Sequence, residues 1–204
     1  MKPHAGLLLA VTMDSIDCAK QQIRAIISKS SVPEDPMHAD NVLKWLLKLK
    51  PDADEALQIA ALAHDIDRAD DQAKIKQANF NDYDQFKAAH AHHGATILKQ
   101  ILHKCQVEQS IIDNACQLVE QHEVGGDPRS DLLKDADSIS YFEVNMPLYF
   151  QREGYEKTLK RCVWGYHRLS PKMKEVCQSL SYSHDVLNKI LKETVSNKDD
   201  QNTK

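Results

Sequence analysis

Apolar residues recur along most of this chain at intervals of three and four, the spacing that lines one face of an α-helix. The first run predicts a helix over about 13–30, ended by "SKSSVPEDP". "MHADNVLKWLLKL" predicts a second over about 37–49, with Val42, Trp45, Leu46 and Leu49 on one face and Pro51 as its stop. A third covers about 53–66 through "EALQIAALAHDI". The polar stretch "DRADDQAKIKQANFNDYDQF" then predicts loop with a short helix. Further helices follow in "AAHAHHGATILKQIL", "QSIIDNACQLVEQHE" and "DLLKDADSISYFEVNMPLYF", and residues 155–193 predict two more, divided at Ser170–Pro171. There is no alternating strand run and no internal repeat. The pattern predicts an all-α fold, a single helical bundle domain over 1–192 followed by a polar, disordered tail at 193–204.

Polar residues break these apolar faces at particular places. Leu57, Ala60 and Ala61 lead to His64, and Ile111, Ala115 and Leu118 lead to His122. His38 starts the stripe of Val42, Trp45 and Leu49. Three histidines thus stand at the ends of core-facing stripes, and His64 is followed at once by Asp65 in "AALAHDIDR". A buried charge without a partner is costly, so the pair implies a hydrogen-bonded core pair, a catalytic pair or a metal ion. One such histidine is ordinarily a satisfied core residue. Three from separate helices are the donor set of a bundle-interior metal site, and imidazole with carboxylate suits Fe, Mn, Co, Ni or Zn.

The cluster "HAHHGA" at 90–95 cannot face inward as a whole. Against the apolar set Ile97, Leu98, Ile101, Leu102 and Cys105, His90 lies roughly 40° from the inward direction, His93 roughly 100°, and His92 on the opposite face. His90 is therefore the inward histidine, His92 is solvent-exposed, and His93 is either a rim residue reaching substrate or plain surface. Gly94 allows a close neighbour. Asp135 and Asp137 are two apart, so one at most reaches a shared centre, and the wheel does not choose between them.

Composition changes this picture little. Apolar residues at 42% and charged residues at 27% are those of a globular protein, and 204 residues suffice for one core. A net charge of −4 gives no footprint for nucleic acid or an anionic membrane. No run approaches the roughly 18 apolar residues of a membrane span, and "GLLLAVTM" does not read as a signal peptide. Five dispersed cysteines without a Cys-x-x-Cys pair are expected to be reduced core residues of a cytoplasmic protein. "KTLKRCVWGYHRLSPKMK" is locally basic, through Lys157, Lys160, Arg161, His167 and Arg168, and reads as a solvated helix face or an anion-binding patch. "EVNMPLYF" suits either core packing or a homodimer contact.

The order of His38, His64-Asp65 and a late aspartate in "DADSIS" resembles the HD-domain superfamily, mainly metal-dependent phosphohydrolases, over about 15–145. The resemblance selects Asp137 over Asp135. The binuclear members add a histidine in a His-x-x-x-Gly-Ala context and another at the end of the next helix, matched here by His90 and His122. It implies two divalent transition-metal ions, with Asp65 bridging them. His38, His64 and Asp137 would hold one ion, and His90 and His122 the other. Two such ions would clamp a phosphate and lower the pKa of a bridging water towards neutrality, making the nucleophile. Asp67 and Arg68 are then candidate catalytic groups supporting the ligands or contacting phosphate, or else an ordinary helix-end ion pair. His93, Glu123 and Arg168 are candidate substrate-binding residues, Glu123 also as orienter of His122 or proton carrier. The expected substrate is a nucleotide or other small phosphate ester. The same ligands also occur in mixed-valent di-iron oxygenases of the superfamily, and a non-catalytic nucleotide-binding signalling domain is a third reading.

Overall fold

The computed structural model describes residues 13–197. Among them are ten α-helices and no strand: α1 (Ser15–Ile27), α2 (Asp35–Leu49), α3 (Glu55–Ala63), α4 (Tyr83–Lys104), α5 (Gln109–Gln121), α6 (Pro128–Ser140), α7 (Met146–Glu153), α8 (Tyr155–Arg168), α9 (Pro171–Gln178) and α10 (Asp185–Ser196). None of the helices of the described residues is long and apolar enough to cross a membrane.

The all-α expectation holds, with three local differences. The third helix ends at Ala63, and the chain turns through a 3₁₀ segment, Ile66–Ala69, before the polar loop. Residues 155–193 form three helices rather than two. Between α9 and α10 the Asn188 amide bonds back to both the Tyr182 N–H and carbonyl, stabilising a turn that apolar periodicity does not mark. The expected tail is also shorter, since 193–196 complete α10. Residues 198–204 and most of "GLLLAVTM" lie outside the described residues.

Helix α2 packs on α3 and α6, and α3 and α4 both pack on α5. Helices α7, α8 and α10 form a C-terminal group from which α8 returns to α6. Leu46, Leu57, Leu62, Leu98, Leu102, Ile112, Leu133 and Phe142 are fully buried where these helices meet. Each such side chain contributes on the order of 1.5–3 kcal/mol of burial, which makes α2, α3, α5 and α6 firm supports for whatever they carry.

Helices α6 and α7 are one rod with a π turn, Tyr141–Asn145, between them. Pro147 has no N–H to offer the Glu143 carbonyl, and the Met146 N–H bonds instead to Tyr141 O, five residues back. This widened turn rotates Asn145 and Met146 inward. "EVNMPLYF" accordingly serves the interior in part, with Phe150 packed on the core.

The expectation of five reduced cysteines is corrected. Cys18 of α1 is disulfide-bonded to Cys105, which caps α4, across a sequence separation of 87 residues. The two thiols meet because α1 crosses the end of α4, a tertiary contact that spacing cannot reveal. Cys116, Cys162 and Cys177 are free. The cysteines therefore carry no argument for a reducing compartment.

Candidate metal centre

Two helices end in the same way. A helix C-terminus leaves its last carbonyls without intrahelical partners. His64, at the cap of α3, has its Nδ1 3.0 Å from Ala61 O, and His122, at the cap of α5, has its Nδ1 2.6 Å from Val119 O. In both cases the carbonyl can only accept, so Nδ1 carries the proton and Nε2 is left as a bare lone pair. Both rings are buried, and both Nε2 atoms point between the helices.

Helix α2 supplies a third ring in the same state. Ser140 Oγ, 3.5 Å from His38 O, donates there and accepts from Asn41 Nδ2 at 3.0 Å. It can then accept from His38 Nδ1 at 2.9 Å, which leaves His38 Nε2 bare. That atom lies 3.2 Å from His64 Nε2 and 3.1 Å from Asp137 Oδ1. Two imidazole Nε2 atoms and a carboxylate oxygen converge here within 3.7 Å of one another. A cation is what such a donor set fits.

The other side is built around His90. Its Nε2 is 2.9 Å from Asp65 Oδ1 and its Nδ1 2.5 Å from Asp67 Oδ1. His122 Nε2, buried and without a hydrogen-bond partner, stands 3.2 Å from Glu123 Oε1. Potential donor atoms thus gather in two groups, His38–His64–Asp65 and Asp65–His90–His122–Glu123, and Asp65 belongs to both. Either group could hold a metal ion. Asp137 adjoins the first, its Oδ1 also 3.7 Å from His64 Nε2.

Charge is balanced around these ligands by buried cations. Burial opposes ionisation of Asp65, but Arg68, His64 and His90 outweigh it and hold the carboxyl well below the usual range. Asp137 is likewise held low, against its burial, by Arg168, His38 and His64. Burial pushes His64 down to about 4 despite Asp65 and Asp137, which keeps the ring neutral as a ligand must be. His90 behaves oppositely: burial would lower it, but the Asp65 and Asp67 carboxylates push it up to about 9 in the metal-free protein.

All six residues expected as ligands, His38, His64, Asp65, His90, His122 and Asp137, lie in this cluster. Asp135 is elsewhere, with Oδ1 accepting from Ser170 N at the start of α9. His92 is 76% exposed, as its wheel position implies. Other expectations need changing. Asp67 is 1% exposed and sits behind His90, where it can orient that ring but cannot touch a phosphate. Arg68 does face the cavity, 33% exposed, donates to Asp65 Oδ2 at 2.5 Å and is ion-paired with Asp35 Oδ1 at 3.0 Å. Arg168 is 11% exposed and is spent inside, 3.0 Å from Asp137 Oδ2 and 3.3 Å from Glu123 Oε2, so it positions ligands rather than substrate. Glu123 is itself a candidate ligand, ion-paired with Lys87 and Arg168. His93 is 29% exposed, its Nδ1 4.0 Å from Asp67 Oδ2, and is not on the wall of the cavity that Arg68 faces, so its expected contact with substrate is not seen. An extra Cβ at Gly94 would meet His64 O at an ordinary 3.6 Å, so glycine is not required there.

A cavity of about 380 Å³ opens onto the cluster, with His38, Asp65, His90, Glu123 and Asp137 on its wall. Lys74, Lys87 and Arg161 join Arg68 around it, together with Tyr83, Phe86, Tyr141 and Tyr149. The basic stretch of α8 is not wholly a solvated face. Two of its members, Arg161 and Arg168, instead turn inward, and Trp164 lies close to both guanidinium groups, at 4.2 and 4.5 Å.

The family model described as "Domain of unknown function (DUF4202)" matches residues 11–190, and the chain belongs to that family. No curated protein and no solved structure matches it.

Proposed function

We propose that this DUF4202 chain is a phosphohydrolase that uses two divalent transition-metal ions to cleave a nucleotide or other small phosphate ester. The observation that carries the reading is Asp65, whose carboxylate is common to both donor groups and opens onto a cavity ringed by cations. The resemblance of the His38, His64-Asp65 and Asp137 order to the HD-domain superfamily supports the same class. Ions held there would set positive charge against phosphoryl oxygens and lower the pKa of water towards neutrality.

The chain's own residues divide the remaining work. His38, His64 and Asp137 would hold one ion, His90 and His122 the other, with Asp65 between them and Glu123 beside the second. Backbone carbonyls fix His64 and His122, Ser140 fixes His38 and Asp67 fixes His90, so the donor atoms are set before any metal arrives. Arg68 faces the cavity from beside Asp65, and although it is paired with Asp65 and Asp35, its remaining N–H groups could reach a phosphoryl oxygen.

The test is to count metals in the purified protein and to follow phosphate release beside oxygen consumption. Phosphate release restored by Mn, Fe, Co, Ni or Zn and abolished by His64→Ala or Asp65→Ala supports the proposal. Oxygen uptake without phosphate release would move the assignment to the di-iron oxygenases. Nucleotide binding with neither activity would make this a signalling domain. A protein that takes up no metal, and whose stability chelation leaves unchanged, would end both enzyme readings.

A further inference from the structure

Four cations line the cavity above the cluster, and three of them are already neutralised. Arg68 pairs with Asp65 and Asp35, Lys74 with Asp71, and Lys87 with Glu123. Arg161 has no carboxylate partner among the described residues. Its guanidinium is held near two aromatic rings instead, 4.2 Å from the Trp164 centroid and 5.3 Å from that of Tyr141. Aromatic contacts fix such a group in place without cancelling its charge or using its five donors.

The wall next to it carries a further unfilled polar group. Tyr141 and Asn145, the first and last residues of the π turn, both line the cavity and are 7% and 5% exposed. Asn145 Oδ1 is buried without a hydrogen-bond partner, while the Tyr141 hydroxyl is turned toward the buried Cys162 thiol. Buried polar atoms are rarely left so unless something outside the chain satisfies them. Tyr141 opens the π turn and Asn145 closes it, and both stand at the cavity wall.

We propose that Arg161, held by the Trp164 and Tyr141 rings, forms a subsite for a second anionic group of the substrate, so that the preferred substrates are phosphate esters carrying a further phosphate or carboxylate. The inference rests on the phosphohydrolase reading for its first phosphate, but the subsite is a binding claim of its own. Asn145 Oδ1 adds an acceptor for a hydroxyl on the same ligand. Arg68 and the metal cluster would take the phosphoryl group to be transferred, and Arg161 the group that stays with the product.

Two readouts separate this claim from the reaction. In the metal-loaded protein, calorimetry with inorganic phosphate and inorganic pyrophosphate is expected to show pyrophosphate bound about tenfold or more tighter, as for one added charge-assisted pair. Arg161→Gln is expected to collapse that ratio towards one with the metal count unchanged. Tyr141→Phe keeps the ring beside Arg161 and should leave the ratio unchanged. Among substrates, a sugar bisphosphate and a phosphorylated hydroxy acid should each exceed a simple aryl phosphate in kcat/KM, and their order says whether the second group is phosphate or carboxylate. Arg161→Lys should retain part of that preference if charge is what is read. Equal binding of the two probes, or a preference untouched by Arg161→Gln, overturns the subsite even if phosphate is released. A binding preference that depends on Arg161 in a protein that hydrolyses nothing would uphold the subsite and reject the phosphohydrolase.

Discussion

The two halves of the candidate centre each hold one ring by a helix-end carbonyl, His64 in one and His122 in the other, and differ in how the remaining histidine is held. On the side of His38 and His64, each ring is oriented by a neutral group, the Ser140 hydroxyl or the Ala61 carbonyl, and His64 is held neutral. On the side of His90, both ring nitrogens face carboxylates and a proton is retained up to about pH 9, while Glu123 is occupied by Lys87 and Arg168. The first half presents bare lone pairs. In the second, His122 presents one too, but His90 must release a proton before it can bind. Identical ligands can therefore give ions of different affinity, with the difference set by what stands behind each ring.

Removing the residue the halves share should have the largest effect. Asp65→Ala is expected to empty both positions and to lower phosphate release by about a thousandfold or more, checked by metal analysis beside the assay. Retention of one full ion would show that the halves are independent sites. His122→Ala should then remove only the ion on the His90 side, and His38→Ala only the other, each leaving about one ion per chain by the same analysis.

A smaller effect is expected from Asp67→Asn, which keeps the shape behind His90 but removes its charge. Affinity on that side should fall by about 10–100-fold, with the His38 side unchanged, as read by competition with a chelator. The pH dependence should also differ between the halves. His90 has a pKa of about 9 against an ordinary 6.5, so its contribution to metal-free stability is full below 6.5 and is lost as pH rises through 9. The same proton competes with metal, so occupancy of the His90 side should climb across that interval. His64, lowered to about 4, is already unprotonated there, so the His38 side should stay filled, and metal titrations at pH 6 and pH 9 would reveal the contrast. Below 6.5 the sign reverses for His64: the unfolded chain takes up the proton first, and stability falls as pH drops through 4.

Much of this architecture is legible in the sequence, for a reason that particular residues make plain. Helical periodicity is local, and it suffices to put His64, His122 and His38 on buried stripes and to turn His90 inward and His92 outward. It does not distinguish Asp135 from Asp137, because the apolar arc of α6 is wide; the resemblance made that choice. What escaped were pairings between distant elements. Arg168 reaches across to Asp137 and Glu123, Cys18 meets Cys105, and Asn188 folds back on Tyr182, and none of these leaves a periodic trace. Arg161 looked like surface because its neighbours are basic, whereas its position depends on Tyr141 and a π turn. Pro147 was the available signal for that turn.

The disulfide has a topological consequence. Cys18 and Cys105 close a covalent ring, and His38, His64, Asp65 and His90 all lie between them in sequence. A closed loop of this size removes on the order of 4–5 kcal/mol of disorder from the open chain. Four of the six expected ligands are thus strung on one tether, so even when the helices part, the donors remain neighbours by connectivity. Only His122 and Asp137 have to be brought back from outside the ring.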